Sequence, residues 1–536
     1  MQLTLLNWLL AFAPVIVILI CMLGFKWGGS KAGAVSWFTA LIIGIFHFGG
    51  GPALIAYSQV QAVLQTLDIL YIIWAALLLF HVADEAGAVR MIGLELPKLT
   101  GDRMMQGLLI GWLFASFLQG MGGFGVPVAV AAPLLVGLGF NPVQAVVMAS
   151  IGTGWAVNFG SLATSFQTLM AVTNLPGPLL APAAAVLLGI AGFACGAIIA
   201  YMSAGWKALL RSLPAILVLG AVMGGVQYWL ATHLLWTLGA TGGAMVGLVV
   251  GVGLTRLPLY HLPHEDARSL GAVDDPAIPG AVDNTSADTV KRSLPIAVSA
   301  YVVLVILIFA SNLVQPLEAF LNQVKLVLKF PQLTSAFGVV TAAGNGRAIS
   351  IFGHPGSILI YSAIIAYFIY KRAGYYKPGA AGRILSKVAH GAVNSSLGIA
   401  AMVGMATVMS NTGMTDVLAK GISQVFGRTL YPVAIPFIGA LGAFITGSNN
   451  SANVLFAGLQ MRTAQLLGLS VPFVLGSQTA GGSLGSIMAP AKIIVGCSTV
   501  GLNDKESSVL SHILIYGVIL VVIMSIATIL LIGTWS

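Results

Sequence analysis

The sequence predicts an all-α, polytopic membrane protein with about 12–16 transmembrane or re-entrant helical segments, arranged as two internally repeated halves with broken helices. Three observations carry this. Only 24 Lys+Arg and 15 Asp+Glu occur in 536 residues, so 7% of the chain is charged, against roughly 25% in soluble domains, whose surfaces water must solvate. Apolar residues make up 58% of the chain and mean hydropathy is +0.97, so lipid does the solvating. The 65 glycines, with no triplet period, lie inside apolar stretches, which excludes collagen and implies close helix crossings or interrupted helices. The net charge of +9 comes from Lys and Arg in short clusters between apolar stretches, the distribution that membrane topology requires; no nucleic-acid partner is implied. Cys21, Cys195 and Cys497 lie far apart in or beside apolar segments and suggest neither a disulfide scaffold nor a metal site.

In chain order, 3–25 is apolar, has no basic region before it and no small-residue cleavage site after it. It reads as a retained first span, not a signal peptide. Further candidate segments are 33–57, 60–83, 104–123, 125–139, 143–169, 180–204, 213–234 and 240–257, then 294–313, 332–351, 355–371, 388–410, 430–446, 451–468, 472–489 and 508–533. Pieces such as 125–139 are too short to cross about 30 Å of hydrocarbon and read as half-helices. The extended polar insert 258–293 separates an N-terminal membrane half, 1–257, from a C-terminal one, 294–536. The stretches 315–330 and 413–428 alternate apolar and polar residues at helical spacing and read as interfacial or interior-lining. Basic clusters at Lys26/Lys31, Arg90/Lys98/Arg103, Lys207/Arg211 and Lys371/Arg372/Lys377/Arg383/Lys387 read as cytoplasmic loops, which places the N-terminus outside.

The halves echo one another. In the first, Gly120-Met-Gly-Gly-Phe-Gly125-Val-Pro127 precedes a short apolar helix, then Leu138-Gly139-Phe-Asn-Pro142, then a small-residue helix interrupted at Gly152-Thr153-Gly154. In the second, Thr446-Gly-Ser-Asn-Asn-Ser-Ala-Asn453 precedes a short helix, then Leu467-Gly468-Leu-Ser-Val-Pro472, then a small-residue helix with an expected interruption at Ser477–Ser483. Paired breaks of this kind mark transporter sites near the bilayer midplane, whereas a single Gly-rich break serves equally well for tight helix crossing. A broken helix leaves N–H groups unpaired at a partly positive end, which holds a carboxylate without a buried cation. The same Asn and Ser oxygens also suit Na⁺.

These segments resemble the signature regions of the L-lactate permease family, in Gly123–Ala129, Leu134–Phe140, Thr446-Gly447-Ser448 with Asn453, and Gly481-Gly482 through Pro490, Cys497 and Val500-Gly501-Leu502. The resemblance extends along most of the chain and implies a carrier of small monocarboxylates such as lactate or glycolate, in a bacterial inner membrane, by proton symport. By analogy with the wider ion-transporter group it implies paired hairpins and an elevator-like motion. No cofactor is expected beyond a coupling cation, H⁺ or Na⁺; the partners are a small organic anion and membrane lipid, with the oligomeric state open and a homodimer compatible. The chain departs from the family pattern at Gln119, where a Glu is typical, at Asn449, where an Asp is, and at Ser486, where a Lys is, while Lys492 stands just beyond Pro490. Asp68 and His354 are titratable groups at positions where the family pattern has none, so they are candidates for proton coupling.

The resulting site comprises Gln119, Gly123, Gly125, Thr153, Ser448, Asn449, Asn450, Ser451, Asn453, Gln478, Thr479, Ser483 and Lys492. Structural readings stand beside it. Lys492, Arg347 and Arg462 are also placed to snorkel toward headgroups, and His354 to be an ordinary loop histidine. Two other functions compete: a sodium-coupled carrier of a different organic anion, and an intramembrane serine hydrolase. The latter rests on Gly481-Gly-Ser483-Leu-Gly485, which fits the G-x-S-x-G nucleophile pattern but lacks an evident preceding strand or histidine base. Gly120–Gly125 fits G-x-G-x-x-G without a surrounding βαβ unit, so dinucleotide binding is not implied.

Overall fold

Charge-poor, glycine-punctuated segments fold into long helices joined by tight turns. The computed structural model describes residues 3–25, 27–88, 91, 100–123, 125–260, 293–341, 343–345, 349–502 and 506–535. Most of the polar insert (261–292), Phe124, Arg347 and the basic residues Lys26, Arg90 and Lys98 lie outside the described residues. Ten described helices are long and apolar enough to cross a membrane, eleven with one bent pair, and the chain is a multi-pass membrane protein.

The first three helices are α1 (Leu5–Leu23), α2 (Gly29–Phe46) and α3 (Pro52–Glu85). α4 (Arg103–Met121) is buried from Met104 onward and wound as a π-helix over Gly107–Phe114. Then come the short helices α5 (Val126–Gly137), α6 (Pro142–Ile151) and α7 (Thr164–Thr173). α8 (Gly177–Thr232) is two helices broken at Ala204–Gly205, and α9 (Gly239–Leu254) closes the first half. The second half begins with α10 (Leu294–Leu313), which turns by 92° into α11 (Gln315–Leu321).

The described residues of the expected segment 332–351 form no helix, which corrects that expectation. They join Lys325–Phe330 in three antiparallel two-residue pairs, β1 (Lys325–Leu326) with β6 (Ile349–Ser350), β2 (Lys329–Phe330) with β5 (Gly344–Asn345), and β3 (Leu333–Thr334) with β4 (Val340–Thr341). Val339, Val340 and Thr341 favour strand, Gly338 (φ +77) makes the turn, and a short apolar stretch carries no periodicity that separates strand from helix.

The remaining helices are α12 (Pro355–Arg372), α13 (Ala380–Thr412), α14 (Met414–Thr446), α15 (Asn449–Leu467), α16 (Val471–Ile487), α17 (Pro490–Thr499) and α18 (Glu506–Ile532). The stretch 413–428 is the first limb of α14, which bends at Gly427.

A second correction concerns α16. The interruption expected at Ser477–Ser483 is absent, and the helix runs on to Ile487 before breaking at Met488–Ala489 ahead of Pro490. Its glycines serve contact, not breakage: a Cβ at Gly481 would meet Pro436 O at 2.1 Å, and one at Gly485 would meet Ala440 O at 2.1 Å. Small residues there let α16 lie directly on the backbone of α14.

α3 and α13 run antiparallel and are joined along their length by polar contacts. At one end Asn411 Nδ2 donates to Ser58 Oγ (2.9 Å) and Gln61 Oε1 (3.1 Å); at the other Glu85 accepts from Arg383 (2.7 Å) and Lys387 (2.9 Å).

Candidate functional site

Two hairpins, the break ahead of α7 and the continuous helix α16 build the candidate site. α4 turns into α5 through Gly123 and Gly125, and α14 into α15 through Gly447; Gly125 and Gly447 have φ of +92° and +75°, which a side chain would strain. α15 begins at Ser448 and α7 at Ala163, and neither residue caps its helix with a side chain. The first-turn N–H groups of α15 therefore carry the partial positive charge of a helix end, whereas at α7 Thr164 N and Phe166 N already donate to Ser161 O (3.4 Å) and Asn158 O (3.2 Å).

The chain entering α7 is strained. Ser161, Leu162 and Ala163 hold φ of +46°, +59° and +61°, a left-handed run costing about 1–2 kcal/mol per residue. It is latched to the first hairpin: Ser161 N and Leu162 N donate to the carbonyls of Gln119 (2.7 Å) and Gly120 (3.0 Å) at the end of α4. Those carbonyls would otherwise be unpaired at a helix C-terminus. The first break thus extends beyond the expected Gly152–Gly154, from Gly152 to Ala163.

The two halves meet at Thr479, in the middle of α16. Its hydroxyl donates to Asn158 Oδ1 (2.6 Å) and accepts from Asn449 Nδ2 (3.1 Å) and Asn453 Nδ2 (2.9 Å). One proton and two lone pairs are then fully used. Asn449 also donates to Ser483 Oγ (3.2 Å), Asn453 to Ser165 O (3.1 Å), and Ser165 Oγ to Asn450 Oδ1. These contacts join the first turns of α7 and α15 side by side.

Thr479 therefore fixes which way the amides face. Asn449 Oδ1 and Asn453 Oδ1, and the Nδ2 groups of Asn158 and Asn450, are buried with no partner among the described residues. Asn158, Asn453, Thr479 and Ser483 are 0% exposed, so no bulk solvent serves them. Each unpaired buried group costs about 1–3 kcal/mol. Two donors and two acceptors are thus left over in one buried cluster, which makes it the candidate site.

The expected site residues divide accordingly. Asn449, Asn450, Asn453, Thr479 and Ser483 come together, with Ser448 and Ser451 on the same first turn of α15. Gln119 lies beside Gly123, where a Cβ would stand 3.3 Å from its Nε2, and Gly125 faces Val495 of α17. Thr153 is turned away, its hydroxyl donating to Ser150 O (2.8 Å). Gln478 points into the α14–α15–α16 interior, where it accepts from Gln460 Nε2 (3.0 Å). Lys492 donates to Ser486 Oγ (3.2 Å), one turn of α16 beyond Ser483. Asn158 and Ser165 are the members that sequence reasoning missed; the signal available was a run of polar residues, Asn158 to Gln167, inside an otherwise apolar segment.

Asp68 and His354, from opposite halves of the chain, form one buried pair. His354 Nε2 lies 2.9 Å from Asp68 Oδ1, their side chains 6% and 3% exposed. Gly356 N donates to His354 Nδ1 (3.2 Å), which places the imidazole proton on Nε2, toward the carboxylate. Tyr71 stacks on the imidazole at 4.7 Å and holds Ser357 Oγ at 2.6 Å.

Gly481-Gly-Ser483-Leu-Gly485 lies inside helix α16, not on a strand-to-helix turn, and the Ser483 hydroxyl donates to Thr479 O (2.9 Å). It lacks the geometry of a hydrolase nucleophile.

The chain as a whole is similar to known permeases. The family model described as L-lactate permease matches residues 7–533. The chain is 27% identical over 549 residues to the L-lactate permease of Bacillus subtilis (strain 168), across 98% of this chain and 96% of that protein. It is 27% identical over 548 residues to the glycolate permease GlcA of Escherichia coli (strain K12), across 98% and 95%. Among solved structures, the YdaH transporter of Alcanivorax borkumensis aligns with 86% of this chain and 85% of its own at a TM-score of 0.43 and 15% identity.

Proposed function

The chain belongs to the L-lactate permease family, and from that premise we propose that it is a secondary active transporter of lactate, glycolate or a related 2-hydroxy acid, working by proton symport in a bacterial inner membrane. The observation that carries this reading is the unpaired set around Thr479, set between two helix N-termini. A 2-hydroxy acid has one group that only accepts hydrogen bonds and one that also donates. The carboxylate takes the Nδ2 groups of Asn158 and Asn450 and the N–H groups at the start of α15; the hydroxyl donates to Asn449 Oδ1 or Asn453 Oδ1. No buried Lys or Arg is needed, because the helix ends supply the positive potential.

Asp68 and His354 are the proton carrier of this reading. Bound neutral imidazole and carboxylate can accept one further proton, and Asp68 takes it without breaking the Gly356 cap on Nδ1. The proton offsets the substrate's negative charge, which makes the loaded carrier cheaper to move past hydrocarbon than the anion alone. The half 1–257 would supply one hairpin and one broken helix, and the half 294–536 one hairpin and the continuous helix α16.

Uptake of labelled lactate by proteoliposomes under an imposed proton gradient tests the reading; absence of gradient-driven accumulation would refute it. A sodium-coupled second reading has one observation in its favour, the bare Asn449 and Asn453 oxygens, which suit a hard cation. Stimulation by sodium at fixed pH separates the two.

A further inference from the structure

A cavity of about 160 Å³ lies between α3, α13, α14 and α15, apart from the Thr479 cluster. Its wall on α15 runs along one helix face, Val454, Gly458 and Arg462, at i, i+4 and i+8, flanked by the apolar Leu455, Leu459 and Met461. That face starts one residue after Asn453 and extends about 12 Å to Arg462. The facing wall, on α3, carries Gln61 and Gln65. Their oxygens are already committed, Gln61 Oε1 to Asn411 Nδ2 (3.1 Å) and Gln65 Oε1 to the Thr407 hydroxyl (3.4 Å). What they offer the cavity is N–H.

Arg462 is the cationic group in this lining, and it is lightly held. Its Nε meets Asp416 Oδ1 at 2.6 Å and its Nη1 donates to Gln465 Oε1 at 3.2 Å. The side chains of Arg462 and Asp416 are 39% and 36% exposed, so water reaches both and the pair is weak. A guanidinium presents five N–H donors, and these contacts use two of them. An incoming carboxylate can replace Asp416 like for like, or add to it on the remaining edge.

We propose that this cavity is the entrance vestibule for the transported anion and that Arg462, at its mouth beside Asp416, is the first group to bind the carboxylate. The ligand class is a small monocarboxylate, and the assignment rests on the transport reading above. Arg462 captures the anion from water, the Gln61 and Gln65 amides hand it along the α15 face, and the helix ends beyond Asn453 receive it. Asp416 competes for the guanidinium when the vestibule is empty.

Two measurements on the full-length protein in proteoliposomes test this. In lactate uptake, Arg462→Gln is expected to raise the half-saturation concentration about tenfold with the maximal rate nearly kept, Arg462→Lys to give a smaller rise, and Asp416→Asn to lower it. An unchanged half-saturation in Arg462→Gln, or equal losses of maximal rate alone in Arg462→Gln and Asp416→Asn, overturns the proposal. The second measurement does not depend on the substrate's identity. Ser410 lines the cavity and is exposed, while Cys21, Cys195 and Cys497 are buried. Ser410→Cys should react several-fold faster with a sulfonate-bearing methanethiosulfonate than with its trimethylammonium counterpart, and Arg462→Gln should abolish that preference. Equal rates, or a preference that survives Arg462→Gln, overturn the vestibule. A charge preference in a protein that carries no lactate or glycolate sustains the vestibule and refutes the choice of substrate instead.

Discussion

Asp68 Oδ1 and His354 Nε2 stand 2.9 Å apart in a closed pocket between α3 and the start of α12, with Tyr71 stacked over the imidazole. An acid in the middle of a membrane helix costs about 2.5–3.5 kcal/mol unless it is paired or faces water. Here the partner is a histidine whose other nitrogen is occupied by a backbone N–H, so Nε2 is the nitrogen that donates to the carboxylate.

Stranding the carboxylate should therefore hurt more than removing both members. His354→Ala alone is expected to destabilise the protein by about 3–5 kcal/mol, as an uncompensated buried charge does, Asp68→Asn, which keeps an acceptor for Nε2–H, by less, with the double variant recovering part of the His354→Ala loss. Proton-driven accumulation should be lost in both single variants while lactate–lactate exchange across equal concentrations continues. Thermal unfolding in detergent and paired uptake and exchange assays read the two effects; loss of exchange together with accumulation would assign the pair to structure alone.

At the Thr479 cluster the expected consequence is selectivity. Propionate has the carboxylate of lactate and lacks its hydroxyl, so it leaves an Asn oxygen unpaired at about 1–3 kcal/mol. Competition assays should show lactate favoured over propionate by roughly tenfold or more, and Asn453→Ala should narrow that ratio by weakening lactate more than propionate. Thr479→Val, which removes the hydroxyl that aims three amides, should weaken both acids.

Much of this was legible in the sequence, and the reason is local. Charge depletion, the polar insert and the Gly- and Asn-rich turns at Gly123–Gly125 and Gly447–Asn453 are signals that a short window contains. Asp68 and His354 each stood out as titratable groups in apolar surroundings, but their contact joins residues far apart in the chain and is set by how α3 meets α12. Asn158 and Ser165 were missed for the same reason, since their partners lie on α15 and α16. The glycines of α16 misled in another way: a glycine that permits contact with α14 looks, in one dimension, like a glycine that breaks a helix. The segment 332–351 had apolar content without periodicity, and pairing with 325–330 decided its form.

Those glycines give a sharp contrast in stability. Gly481→Ala and Gly485→Ala place a methyl group 2.1 Å from carbonyl oxygens of α14 and should each destabilise by about 1–3 kcal/mol through overpacking. Gly458, helical and with nothing within 4 Å of its would-be Cβ, should gain about 0.5–1 kcal/mol as Ala. Melting temperatures of the three variants in one detergent check this directly.

Ser483 should be chemically inert. Its hydroxyl is 0% exposed, lies within a helix and donates to Thr479 O (2.9 Å), so a fluorophosphonate probe should leave it unlabelled. Stoichiometric labelling detected by mass spectrometry would revive a hydrolase.

In the proposed function the N-terminus of α15 and the amides of Asn449, Asn453 and Asn158 hold a small hydroxy acid that moves with a proton. The most direct measurement is the initial rate of labelled lactate and glycolate entry into proteoliposomes, under proton and sodium gradients imposed separately, for the wild type and Asn449→Ala/Asn453→Ala. The account predicts saturable accumulation driven by the inward proton gradient and abolished by an uncoupler, with the half-saturation concentration raised at least tenfold in the double variant, about 1.4 kcal/mol of lost binding. Wild-type kinetics in that variant, or no proton-driven entry of either acid, would contradict it.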